Sequence, residues 1–418
     1  MNFFAKKRNQ FNSLDAPSSL SERVVWVNIV LAAVLMLATL PGRTQGLGLV
    51  TEGLLRDLHL DRVLYANINL WATLLGALFC LPAGRLFDRL GLRVTTVLIL
   101  LLLGAAVWLM SASAGSVAFL FVLILLTRGL GQSALSVASI TLGGKSSGGR
   151  VGLAMGVYSI LVTLLFVGAF TVVGGVVGNH GWRVAWNGVA VALVFVIAPL
   201  SQCFIREPRI ASSPASNQPD EHGATGLDLV AALREPSFWI FAGATSLYGL
   251  VASGLGLFNE SIFSERGFGQ KTYITFLGVT MLIGLVGQAA CAWLSARISM
   301  PRLLALAMFL YGVGLALLPF VSTLAQLWPV AGLIGLSGGM ITVIFFAIWS
   351  QAFGKAHLGR IQGAAQMLTV LASAVGPLIF AECRARFGSY TPAFFTLAPA
   401  VLLVAAAAFR TRLPEVKP

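Results

Sequence analysis

Charge is what this chain has least of. Only 10% of its 418 residues are Asp, Glu, Lys or Arg, and just 15 are acidic, whereas soluble domains are about a quarter charged. Cysteine is as sparse: Cys80, Cys203, Cys291 and Cys383 stand in apolar contexts with no CxxC or histidine pairing. That excludes a disulfide framework and a thiolate metal site, and each reads as a small core residue. No nucleotide-binding loop or metal-ligand cluster occurs, so the expectation is no ATP coupling, no cofactor and no enzyme activity.

In place of charge stands apolar surface: 57% of residues are hydrophobic and the mean hydropathy is +0.87. Such a chain cannot cover itself with polar groups, so its solvent is lipid. Apolar runs fall near 23–51, 63–85, 94–113, 117–142, 151–178, 183–205, 237–263, 272–296, 302–321, 326–352, 361–382 and 390–409. Each is long enough for a helix to cross a hydrocarbon core of about 30 Å, and the alternation of a β-barrel is absent. The expected fold class is an all-α membrane protein of twelve transmembrane helices. Its domains are expected as a tail at 1–22, a six-helix bundle at 23–205, a polar linker at 206–236 with a short amphipathic helix near Leu227 to Leu233, a second bundle at 237–410 and a tail at 411–418.

The net charge of +13 does not mark a nucleic-acid binder, because the basic residues lie one to three at a time between apolar runs. They mark topology. Nineteen lysines and arginines fall on the side of the termini and linker and seven on the other, which places both termini in the cytoplasm. Residues 1–22 lack the compact apolar core of a signal peptide, and the location expected is the cell membrane, in a bacterium the inner one. Trp26, Trp182, Trp186, Trp239 and Trp328 sit near run ends and read as interfacial anchors.

Two stretches repeat. "QGLGLVTEGLL" starts at Gln45 and "SGLGLFNESIF" at Ser253, and Gly46/Gly254, Gly48/Gly256 and Glu52/Glu260 all differ by 208. The same offset pairs Tyr65 with Tyr273, Gly76 with Gly284 and Arg89 with Arg297, then slips to 210 at Gly144/Gly354 and Lys145/Lys355. Two diverged copies around a midplane cavity are a recurring architecture of secondary transporters. "GRLFDRLGLR" at Gly84 to Arg93 resembles the signature between helices 2 and 3 of the major facilitator superfamily, and the resemblance spans essentially the whole chain. It implies two pseudo-symmetric six-helix bundles, with Asp88 touching the start of helix 11 and Arg89 and Arg93 pairing with cytoplasmic neighbours to latch the halves. The second copy, "AWLSARISMPR", keeps Arg297 but has Ala296 at the position of Asp88, so the latch is expected to be asymmetric. "RGLGQSA" at Arg128 loosely resembles a further pattern of that family.

Arg43 and Arg128 lie inside apolar runs. By the helical rise of about 1.5 Å per residue Arg128 is near mid-bilayer, where a charge needs a polar cavity or partner. Two readings stand: an anion-binding arginine or a structural one bonded to carbonyls of a neighbouring helix. Arg43 follows Pro41-Gly42, a kink site, and reads as facing either the cavity or the outer interface. Gln45, Tyr65, Asn69, Gln132, Tyr158, Tyr248, Gln288, Trp349 and Gln366 complete the expected substrate-binding set, each with an interhelical hydrogen bond as its plainer reading. Gating falls to Asp88, Arg89, Arg93 and Arg297 on one side, and to Glu52 and Glu260 at the outer mouth. No Asp or Glu lies deep in a run, so an arginine-bearing cavity favours an anion.

"GGKSSGGRVGLAMGVYS" and "LREPSFWIFAGATSLYGL" are similar to the monocarboxylate and oxalate/formate exchanger branch, but its basic residues in helices 8 and 11 are replaced here by Gln288, Gln362 and Gln366. The sequence therefore points to a monomeric secondary transporter of a small organic anion, a carboxylate above all, with a proton or counter-anion as coupled partner. The alternatives are a drug or metabolite/proton antiporter and a transporter-like sensor.

Overall fold

The structure, a computed structural model, describes residues 22–60, 62–112, 116–147, 151–206 and 226–414. The expected N-terminal tail, most of the linker and the last four residues lie outside them. Among the described residues twelve helices are long and apolar enough to cross a membrane. They are α1 (Glu22–Gly42), α2 (Leu64–Leu90), α3 (Leu92–Ala112), α4 (Val117–Ser146), α5 (Val151–His180), α6 (Trp182–Phe204), α7 (Pro236–Asn259), α8 (Thr275–Leu294), α9 (Met300–Phe320), α10 (Leu324–Ala352), α11 (Leu358–Phe387) and α12 (Thr391–Arg410). An even number of crossings returns residues 22, 206, 226 and 414 to one face, called here the linker side.

Four helices, α2, α4, α5 and α11, outrun their apolar runs because polar and charged residues extend their ends. The signature segment is helical to Leu90, and Gly91, at φ +83, supplies the left-handed turn into α3. The short helix expected near Leu227 to Leu233 spans Leu229–Arg234, with Asp228 capping the Ala231 amide. Trp182 and Trp186 are buried rather than interfacial. Trp182 is turned inward because its indole donates to Asp57 at 2.9 Å, beside Arg183 at 3.6 Å. That hydrogen bond holds the Asp57 carboxyl below the ordinary carboxylate value.

Within the first six helices α1 packs on α4 and α5, α2 on α4, and α3 on α6; within the last six α7 packs on α11, α8 on α10, and α9 on α12. The two sets meet through α2 with α11 and α5 with α8. Small residues make both crossings on the linker side. A Cβ on Gly84 would lie 2.5 Å from the Gly359 carbonyl oxygen, and one on Gly363 would lie 2.5 Å from that of Cys80. At the second crossing Gly152 abuts Ser295 and Gly156 abuts Ala292, the close backbone approach that small residues permit in lipid. The repeat relates the two, since Ala292 is the 208-residue counterpart of Gly84. On the far side, Cβ atoms on Gly48 and Gly256 would meet nothing within 4 Å, so these two glycines of the repeat stand clear of neighbours.

Gly84→Val pushes a branched side chain into the Gly359 backbone, which costs about 1–3 kcal/mol and favours separation of α2 from α11. In a protein whose other three cysteines are replaced by serine, alkylation of the buried Cys80 should accelerate on the order of tenfold. An unchanged rate would show that this crossing does not open.

Candidate functional site

The site begins with a break. Pro41 and Gly42 end α1 in a single 3-10 turn, Arg43 is extended at φ −89 and ψ 151, and a second helix resumes over Thr44–Asp57. Proline cannot donate to the helix ladder and glycine tolerates the irregular backbone. The break frees the Gly42 carbonyl and exposes the amino end of a new helix, which carries positive potential. Opposite it, α4 is wound as a π-helix over Thr127–Leu135, a widened geometry that recurs at functional sites. Gly42 fits against the Thr127 carbonyl and the Gln132 amide, where no side chain could stand.

Arg128 lies in that π-segment and is 3% exposed. Its guanidinium donates to Gly42 O at 3.2 Å, Thr44 Oγ1 at 3.0 Å, Gln132 Oε1 at 2.9 Å and Asn69 Oδ1 at 3.1 Å. Arg43 is half-buried. It donates to Thr39 Oγ1 at 2.6 Å, Met36 Sδ at 2.8 Å and Ser136 Oγ at 3.3 Å, and lies 5.4 Å from the centroid of the Phe166 ring. All these partners are neutral. Among the described residues neither guanidinium pairs with a carboxylate, so two positive charges and a helix amino end surround one break with no counter-charge.

The structure thus gathers Arg43, Arg128, Asn69 and Gln132, with the exposed Gln45 at the break. Tyr65 stands one turn from Asn69, whose side-chain amide donates to the Tyr65 carbonyl at 3.0 Å. Tyr158 is fully buried, hydrogen-bonded to Ser139 at 2.7 Å and edge-on to Phe346 of α10 at 4.9 Å. Tyr248 and Gln288 lie elsewhere, in a cavity of about 310 Å³ among α7, α8, α9 and α10. Trp349 stacks in a linker-side cluster with Phe238 and Phe353. Gln366 is buried on α11, with its Oε1 unpartnered among the described residues. Thr44 and Phe166 escaped the sequence reading, because a lone Thr or Phe in an apolar run carries no signal.

At the linker side Asp88 faces the first turn of α11, with Oδ2 3.3 Å from Arg360 Nε and Oδ1 3.9 Å from Lys145 Nζ. Lys355 donates to the Lys145 carbonyl at 3.2 Å, and burial holds its pKa below the ordinary lysine value. Arg89 and Arg93 are exposed. Arg297, in the turn that follows α8, lies over Trp293 of that helix at 4.1 Å. The side chains of Glu52 and Glu260 lie outside the described residues.

Residues 31–377 match the family model of the Major Facilitator Superfamily. Monocarboxylate transporter 13 of Rattus norvegicus is 32% identical over 129 residues, a match that spans 30% of this chain and 30% of that protein. The human organic anion transporter MFSD10 (TETRAN) superposes with a TM-score of 0.67 at 18% identity, covering 93% of this chain and 100% of that one. The E. coli fucose:proton symporter FucP superposes with a TM-score of 0.68 at 15% identity, covering 92% and 98%. A further FucP structure, in the outward conformation, gives 0.68 at 13% identity, covering 92% and 99%. At these identities the superpositions establish the fold.

Arg128→Ala strands the Gly42 carbonyl and the Asn69 and Gln132 amides, at about 1–3 kcal/mol per stranded group. Arg43→Ala strands only hydroxyls, which can turn elsewhere, and a thioether. Thermal unfolding of the purified variants should show the larger loss of Tm for Arg128→Ala; equal losses would show that Arg128 does not tie the three helices together.

Proposed function

We propose that this chain, which belongs to the major facilitator superfamily, is a secondary transporter that moves a small organic anion, in the first place a carboxylate, by alternating access. The observation that carries the reading is the pair of guanidiniums at the α1 break with no carboxylate beside them among the described residues. In a medium of low dielectric such a centre repels cations and gains a charge-assisted, bidentate contact from a carboxylate. Arg43, Gln45 and the free amides at the start of Thr44–Asp57 are the contacts. Arg128 holds the break open and adds its charge from beneath, with Asn69 and Gln132 keeping it in place. The likeness of one stretch to a monocarboxylate transporter and of the fold to an organic anion transporter supports the same class.

The bundles formed by 23–205 and 237–410 rock against each other in this reading. The excess of Lys and Arg puts the linker side in the cytoplasm, so the contacts of Asp88 with Arg360 and Lys145 form the inner latch and the described state faces outward. Arg89, Arg93 and Arg297 flank that latch at the membrane surface. Glu52 and Glu260 form the outer gate when the far-side ends come together.

Arg43→Gln removes one charge while keeping a hydrogen-bonding side chain. Thermal-shift titration with small carboxylates, nitrate, phosphate esters, sugars and cationic dyes should show stabilisation by carboxylates, weakened at least about tenfold in the variant, since hydrogen bonds to charged groups contribute about 1.5–3 kcal/mol. Stabilisation by cationic dyes alone, or carboxylate binding and flux unchanged in Arg43→Gln, would sink the anion reading.

A further inference from the structure

The cavity of about 310 Å³ in the second half is the place that Arg128 occupies in the first. Gly76 packs against Gly129 and the Cβ of Arg128, and its 208-residue counterpart Gly284 packs against Gly339. That contact sets the later offset at 210, which aligns Gly129 with Gly339 and Arg128 with Gly338. The side-chain acceptors that hold the Arg128 guanidinium, Thr44, Asn69 and Gln132, correspond by the same offsets to Ala252, Leu277 and Thr342, and all three line the cavity together with Gly284 and Gly338. One copy of the repeat carries a cation and its acceptors. The other has lost the side chain and exchanged two of the three acceptors for apolar groups, leaving a slot.

The slot has its own chemistry. Among the described residues no charged one lines it, and that lining suits neither a guanidinium nor a second carboxylate. Apolar walls from Leu255, Phe276, Met281 and Ile334 dominate. Into them point groups without counterparts in the first copy: Gln288 stands where Cys80 does, and Thr280 where Ala72 does. Gln288 is 6% exposed; its Nε2 donates to Thr163 of α5 at 3.0 Å, while its Oε1 and the Thr280 Oγ1 have no partner among the described residues. A buried acceptor without a donor costs about 1–3 kcal/mol, a cost that a ligand hydroxyl or amide N–H would offset. The volume is at the lower end of ligand pockets, about 300–1,000 Å³.

The two sites are neighbours. Thr163 touches Gln288 and lines the slot, and Phe166, over which Arg43 lies, follows on the same face of α5, where residues three apart have Cβ atoms roughly 5–6 Å from each other. We infer that the second half binds the neutral body of the substrate in the slot vacated by the missing arginine. The substrate is then an amphiphilic acid: a carboxylate at Arg43 joined to a compact, largely apolar, ring-sized body that presents a hydroxyl or amide donor to Gln288 and Thr280. This rests on the anion reading above and narrows it.

The test titrates the purified full-length protein in lipid nanodiscs with butyrate, 4-phenylbutyrate, 4-(4-hydroxyphenyl)butyrate and the methylamide of the last. Burial of the ring should tighten binding over butyrate at least about tenfold, and the hydroxyl should add about fivefold. Gly338→Leu fills the slot and should bring all three acids to the affinity of butyrate. Gln288→Leu should erase the hydroxyl step and leave the ring step; Thr280→Val supplies the same reading if Gln288→Leu does not fold. Equal binding of the three acids by the native protein, or a ring step that survives Gly338→Leu, overturns the inference, as does a hydroxyl step untouched by both Gln288→Leu and Thr280→Val. A methylamide that binds as tightly as its acid refutes the anion reading instead, while the ring and hydroxyl steps still report on the slot.

Discussion

A guanidinium cannot shed its proton at any ordinary pH, so Arg128, buried between helices with no carboxylate partner among the described residues, is satisfied by neutral acceptors. A regular helix offers a main-chain acceptor only through the second lone pair of a carbonyl that already accepts from the amide four residues on. The break after Pro41 resolves this by leaving the Gly42 carbonyl free for Arg128 and setting the Thr44 hydroxyl beside it. The π-helical turn of α4 and the small residues Gly42, Gly76 and Gly129 then let α1, α2 and α4 converge on the charge. Arg43, left extended by the same break, becomes the second cation. One desolvated charge thus accounts for the irregular backbone at the centre of the first half.

That centre was half legible in the sequence. An arginine sixteen residues before Gly144 in an apolar run announces a mid-bilayer charge, Gln132 four residues on falls on the same helical face, and Pro41-Gly42 announces an irregularity. The acceptors that answer Arg128 from α1 and α2 did not announce themselves, because which helices face each other is a tertiary fact: Asn69 ranked with Trp349, yet Asn69 bonds the arginine while Trp349 packs with Phe238 and Phe353. Helix ends were read short where charged residues extend an amphipathic face, as in α2 through Arg89 to Leu90. Trp182 was misplaced for a related reason: tryptophan near a run end usually anchors at the interface, and only the fold brings Asp57 beneath it.

In the alternating-access reading proposed above, the linker-side contacts let two states of the molecule stay close in energy. Asp88 is shielded where it meets Arg360 and Lys145, but Arg360 is about a third exposed, so on separation water can reach all three charges. Rehydration then returns much of what the ion pairs contributed, and exposed pairs are worth only about 0–1 kcal/mol net. The glycine crossings contribute van der Waals contact that lipid can partly replace. Weak contacts suit a switch: a ligand can move an equilibrium only by its difference in affinity for the two states, and a strongly latched bundle would demand a correspondingly large difference.

The same constraint bears on the substrate. A small ion held only by the first half would travel with that half; contributing nothing to the meeting of the bundles, it would have no differential affinity by which to favour closure. The repeat has diverged so that one copy keeps the cation and the other, with glycine in its place, keeps space, and α5 carries Thr163 at one and Phe166 at the other within a single turn. A ligand whose charge lies at the α1 break and whose neutral body lies between α8 and α10 contacts both halves and gains most when both contacts are made. Its two chemical ends then do for the moving molecule what Asp88 and Arg360 do for the resting one, and the asymmetry of the copies supplies the coupling that a symmetric pair of arginines, repelling each other across the cavity, would oppose.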